Sequence, residues 1–277
     1  MAVFRQISGG SGPDMSTSST TATVASPKRG FERPGTHLLL TETARASFEF
    51  GALGAMLPVL RRASRGDGHS VLVLPGFMAS DNSTRTLRWY LRDLGYHAHA
   101  WRLGVNVGPT DRILDGMANR IEALANDART EGRPISLIGW SLGGVYARIM
   151  ARQFPDAVRQ VITLGSPFAL EDREASNAGP LYNMLSTFHS PRVDSLRTPE
   201  WGQPEMSMPT TAIYTKGDGI VPWGSCVDEV RENSENVRVL GSHCGLGHNP
   251  RALLVIADRL AQPVGTWKPY SQRGRTA

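Results

Sequence analysis

The chain has 277 residues, 30 Lys and Arg against 25 Asp and Glu, a formal charge of +5, 40% hydrophobic residues and two cysteines. That length supports one globular domain with decorations. Its basic residues are scattered rather than blocked, which argues against a nucleic-acid partner and leaves a weak peripheral attraction to anionic membrane surfaces. Two cysteines exclude a disulfide-dense scaffold and give no metal-site spacing.

Residues 1–35 are rich in Ser, Thr, Gly and Pro and read as a disordered tail. They lack the apolar centre of a signal peptide, so a cytoplasmic protein is expected. Residues 36–66 read as an N-terminal helical extension, with one or two helices over 37–62. Leu38, Leu39, Phe48, Phe50, Leu53 and Leu57 are its expected apolar face, which Glu42, Arg45 and Glu49 interrupt. The most apolar stretch, 50–60, is too short to span a bilayer.

From 67 to 270 short apolar runs alternate with helical patterns. Strands are expected at 70–74, 97–103, 134–139, 158–164, 211–215 and 237–240, and helices at 83–94, 111–130, 142–154 and 250–260. The clearest helix carries Ile113, Met117, Ile121 and Leu124 at three- and four-residue steps. Such alternation predicts an α/β fold, a mostly parallel central sheet with helices on both faces. Residues 166–209 are too long for a simple connection and read as a cap insertion, and 271–277 as a flexible tail.

The run Gly139-Trp140-Ser141-Leu142-Gly143 follows one predicted strand and opens a helix. A serine at that turn sits in a strained backbone, so the residues two positions away must lack bulk where strand and helix approach. The helix N-terminus also favours negative charge developing beside the serine. Ser141 is therefore the candidate nucleophile. With LVLPGF upstream and TKGDGIVP and SHCGLGHNP downstream, the segment 68–262 resembles the α/β-hydrolase superfamily, in particular its small bacterial lipase- and esterase-like members.

A serine nucleophile needs a base, an orienting acid and donors for an oxyanion. The backbone N–H of Leu142, next to the serine, is the first expected donor. By the resemblance of Pro75-Gly76-Phe77 to the family's oxyanion segment, Phe77 supplies the second, with Met78 its neighbouring candidate. Asp218, in Lys216-Gly217-Asp218-Gly219, occupies the family's acid position and gives the order Ser, Asp, His; Glu171 and Asp172 are its competitors. His243, in Ser242-His243-Cys244-Gly245, matches the family's base segment. His248 is the alternative, placed where a polar residue would cap the closing helix.

Nothing in this scheme needs a metal or an organic cofactor. In the cap, Leu181, Met184 and Phe188, together with Tyr182 and Leu185, are expected to line an acyl pocket. Trp140 and Met78, beside the nucleophile and the oxyanion turn, are expected near the substrate. The turn Asn106-Val107-Gly108-Pro109 resembles a family loop near the site but acquires no role from sequence. Cys226 and Cys244 flank the acid and base segments; two unlinked thiols are expected over a disulfide. The expected activity is hydrolysis of a small-molecule or lipid carboxylic ester. Acyl transfer or thioester cleavage by the same residues is the alternative. A non-catalytic binding protein is disfavoured because all the chemical groups occur in order.

Overall fold

The apolar runs pair into one parallel sheet. The computed structural model describes residues 31–170, 175–192 and 206–270. Within these, β1 (Ser70–Leu74), β2 (His97–Ala100), β3 (Ile135–Trp140), β4 (Val158–Leu164), β5 (Thr210–Tyr214) and β6 (Ser234–Arg238) lie in the order β2-β1-β3-β4-β5-β6. Each neighbouring pair is parallel. The helices are α1 (Thr36–Leu60), α2 (Arg85–Asp93), α3 (Asp111–Ala125), α4 (Leu142–Gln153), α5 (Gly179–Met184) and α6 (Pro250–Leu260). Most of the expected N-terminal tail, the C-terminal tail, Glu171 and Asp172, and residues 193–205 of the cap insertion lie outside the described residues.

Alternation along the strands splits the core in two. Val71, Val73, Ile138, Ile162 and Leu164 point to a face covered by α1, α2 and α6. Leu72, Leu74, Leu137 and Val161 point to the opposite face, against α3 and α4. Successive side chains of a strand face opposite ways, so central strands buried on both sides carry continuous apolar runs.

Where the boundaries differ from expectation, local hydrogen bonds explain the difference. β2 ends at Ala100 because the Trp101 and Arg102 N–H groups turn away to the Asp81 carboxylate, at 3.0 and 3.2 Å. α3 ends at Ala125, and the next residues form a 3₁₀ turn in which the Asp127 side chain accepts from the Arg129 N–H. β6 starts at Ser234, ahead of the apolar run at 237–240. It is an edge strand pairing only with β5, and its partly exposed face leaves little hydrophobic signal.

The N-terminal segment is one helix, and its inward face is only in part the expected one: Leu53 is buried and Leu57 packs against the core. The buried positions of α1 are Glu42, Ala46, Glu49, Leu53 and Leu60. They fall at steps of four, three, four and seven, a single stripe along the helix. Phe48 and Phe50 are exposed instead, at 78% and 58%. Two carboxylates thus share the buried stripe with Leu53, and Phe48 and Phe50 lie off it. Among the described residues no helix is long and apolar enough to cross a membrane.

Leu60 is fully buried with Leu253 and Leu260 of α6. Replacing a buried leucine by alanine costs about 2–5 kcal/mol. Leu60→Ala should lower the unfolding free energy of the whole protein by that amount in urea denaturation. An unchanged midpoint would mean that α1 docks independently of the domain.

Candidate active site

Ser141 joins β3 to α4 with φ +53° and ψ −124°. A non-glycine residue in such a conformation costs about 1–3 kcal/mol and persists only where its surroundings enforce it. The Ser141 N–H donates to the Leu164 carbonyl at the end of β4, at 2.8 Å. A Cβ at Gly139 would overlap the backbone of Gly143 and Gly144, and one at Gly143 would overlap the Leu74 and Pro75 carbonyls. These two glycines let helix and strands close on the serine. Gly76 faces it from the loop after β1, where an added Cβ would lie 3.1 Å from the Ser141 Cβ.

Asp218 lies in the turn after β5, and His243 in the loop after β6. One Asp218 carboxylate oxygen accepts the Ile220 and Val221 N–H groups, both at 2.8 Å, and the other accepts the His243 Nδ1–H at 2.6 Å. This arrangement leaves Nε2 as the basic nitrogen of the imidazole. The pair is buried and sits against Gly165, where a Cβ would lie 3.1 Å from His243 Nδ1 and 3.3 Å from Asp218 Oδ2. Burial alone would depress the imidazole pKa. The charge and hydrogen bond of Asp218, with the charge of Glu42, outweigh burial and hold it above the ordinary histidine value.

All strands run the same way, so Ser141, Asp218, His243 and Phe77 ride loops at one edge of the sheet. Among the described residues Ser141 Oγ has no hydrogen-bond partner. The link between the Ser141 and His243 loops is instead Trp140, whose indole N–H donates to the His243 carbonyl at 3.1 Å. Two other histidines are otherwise engaged. His248 donates to the Ala46 carbonyl at 2.9 Å. His69 also joins an acid and a serine, Asp67 and Ser136. It is fully buried at the opposite edge of the sheet, and burial pushes its pKa down to about 4.

Among the described residues the Phe77 and Leu142 N–H groups have no protein acceptor. The Met78 N–H is taken by the Asn106 carbonyl at 2.8 Å, which removes Met78 as an oxyanion donor. Asn106, fully buried, gives the 106–109 turn its structural role. Its side-chain amide donates to the Pro75 carbonyl at 2.9 Å and its N–H to the Ala79 carbonyl at 2.8 Å, which clamps the loop bearing Phe77. The only sequence signal was an asparagine in a Gly-Pro turn, a pattern common to many loops.

A cleft opens at Ser141, walled by Phe77, Leu142, Val145, Ile149, Tyr182 and Val221. Leu181, Met184 and Phe188 do not line it and are exposed. Tyr182 turns inward from α5, its ring 5.3 Å from Phe77 and 4.6 Å from His189, and one short helix cannot face its neighbours the same way. Met78 is likewise outside the lining and half exposed. Trp140 packs in the core rather than on the substrate side. Cys226 and Cys244 form no disulfide. Burial and the nearby Asp218 charge keep the Cys226 thiol protonated well above its ordinary pKa. Among the described residues no three His, Cys, Asp or Glu side chains are grouped to hold a metal ion.

A model of the alpha/beta hydrolase family matches residues 50–276. The chain belongs to the alpha/beta hydrolase family. Among solved structures, EstE1, a thermophilic carboxylesterase cloned from a metagenomic library, aligns with a TM-score of 0.54 at 16% identity, over 74% of this chain and 83% of its own. A structure titled for the metagenome-derived lipolytic enzymes LipS and LipT gives 0.53 at 16% identity, over 71% of this chain and 93% of its own. Aspergillus fumigatus lipase B gives 0.53 at 16% identity over 71% of this chain but 53% of its own, so the chain spans about half of that lipase. At these identities the likeness is one of fold. No match is found among curated protein sequences.

In this alpha/beta hydrolase the raised pKa of His243 links protonation to stability. A histidine whose folded pKa lies above its unfolded value, about 6.5, stabilises most fully below that value and loses the contribution as pH rises through the folded one. His243→Gln should therefore cost more stability at pH about 6 than in alkaline buffer, read by urea denaturation on both sides. Equal losses at the two pH values would contradict the coupling.

Proposed function

We propose that this alpha/beta hydrolase cleaves carboxylic esters, with Ser141 as nucleophile, His243 as base and Asp218 as orienting acid. The observation that carries the reading is the 2.6 Å His243–Asp218 pair on the same sheet edge as the strained Ser141. The unpaired Phe77 and Leu142 N–H groups support it as oxyanion donors. Oγ bonds to the ester carbonyl carbon while His243 Nε2 takes the hydroxyl proton. Asp218 holds the imidazolium, and the two N–H groups receive the anionic oxygen. The alkoxide leaves with the proton from His243, forming an acyl-enzyme. Water then loses a proton to His243 as its oxygen joins the acyl carbon, and Ser141 regains the proton as the acid departs. The apolar walls Val145, Ile149 and Val221 favour a hydrocarbon acyl group over a charged one.

A chain-length series of p-nitrophenyl esters tests the reading. Ser141→Ala should lower kcat by about 10⁴–10⁶-fold, and Asp218→Asn by about 10⁴-fold with KM little changed. His243 must be neutral to accept the proton, so kcat/KM should rise with pH through a midpoint above about 6.5. Ester hydrolysis that survives in Ser141→Ala, or a wild-type protein inert to the whole series, would overturn the reading.

A further inference from the structure

The two loops proposed to carry acid and base are held by a helix whose first half precedes the matched family segment. That match begins at residue 50, and Glu42, Arg45 and Glu49 on α1 lie before it. One Glu42 carboxylate oxygen accepts the Gly219 N–H at 2.8 Å, next to the acid, and the N–H of His243 itself at 3.2 Å. The other accepts the Cys244 N–H at 2.9 Å. A single side chain thus joins the Asp218 turn to the His243 loop.

The surrounding contacts fix that side chain in place. Arg45 donates to Glu42 at 2.9 Å and to the Gly217 carbonyl at 2.5 Å. One turn further along α1, Glu49 accepts the Ser242 N–H at 2.7 Å, the Ser242 hydroxyl at 2.6 Å and the Asn249 amide at 2.7 Å. The loops are shaped to receive the helix. A Cβ on Gly219 would sit 2.6 Å from the Leu38 carbonyl, and one on Gly245 would strike the Glu49 carboxylate. Glycines in the acid and base segments therefore admit α1 as well as making turns.

We propose that Glu42 is a positioning residue for the acid and the base: its carboxylate sets the His243 loop against the Asp218 turn, and its charge acts on the imidazole. The inference rests on the Ser141, Asp218 and His243 reading. The groups facing His243 are Asp218 from the β5 side, Glu42 with its counter-ion Arg45 and then Glu49 from α1, Trp140 from β3, and Cys244 on its own loop. Apart from Asp218 itself, Glu42 is the one carboxylate among the described residues that contacts both the His243 loop and the Asp218 turn. Its negative charge favours the imidazolium. Glu42 stands outside the cleft lining, so it acts on turnover and not on substrate affinity.

The test is an NMR titration of isotope-labelled histidine in the full-length protein, with His243 assigned by His243→Gln, alongside ester kinetics. Glu42→Gln keeps the size and one acceptor oxygen but loses the charge. The His243 titration and the acidic limb of kcat/KM should both move to lower pH, and kcat should fall about 10- to 100-fold with KM nearly unchanged. Should the single variant melt, Glu42→Gln/Arg45→Gln removes Glu42 together with its partly exposed ion-pair partner, which leaves neither charge uncompensated, and should move the titration the same way. An unmoved titration, or a kcat within about twofold of wild type, overturns the inference whatever the substrate. If wild type hydrolyses no ester while the titration still shifts, the hydrolytic reading fails and the Glu42–His243 coupling stands.

Discussion

The backbone of Ser141 is held at φ +53°, a conformation an L-residue avoids when left alone. The sheet enforces it. β4 offers the Leu164 carbonyl to the serine N–H, Gly139 and Gly143 let α4 press onto β3, and Gly76 brings the β1 loop against the side chain. The same geometry leaves the Leu142 N–H at the start of α4 without an intrahelical partner, as the first N–H groups of any helix are. Strain at one residue and an anion-receptive N–H beside it thus share one cause.

Around that rigid centre the other chemical groups are set by polar contacts made from outside their own loops. Asn106 fixes the loop of Phe77, Trp140 ties the His243 carbonyl to the end of β3, and α1 reaches the Asp218 and His243 segments through Glu42 and Glu49. Burying a carboxylate costs several kcal/mol unless its acceptor sites are filled. Here both are filled, by backbone N–H groups and by Arg45 or Ser242 and Asn249. Directional contacts of that kind specify loop position more closely than apolar packing, which has no preferred direction.

The parallel sheet was legible because its central strands are buried on both faces and so read as unbroken apolar runs. β4 and α6 fall on their predicted bounds. The edge strand β6 was less so, since its buried residues, Ser234 and Glu235, are polar. On α1 the helix itself was readable but its rotation was not. Glu42 and Glu49 looked like interruptions of an apolar face, although they occupy the buried stripe, because their partners are backbone N–H groups some 175 to 200 residues away. No local pattern records such a partner. The cap side chains fared similarly: Leu181 and Met184 on the six-residue α5 and Phe188 in the 3₁₀ turn after it are apolar, but apolarity does not say which way so short a segment turns.

The proposed chemistry stands or falls on Ser141 being an activated nucleophile. Incubating the native protein with a fluorophosphonate and mapping the adduct by peptide mass addresses it without knowing the substrate. A single stoichiometric adduct is expected on the peptide containing Ser141, lost in Ser141→Ala and slowed in His243→Gln. A folded protein that remains unlabelled, or an adduct on another residue, would contradict it.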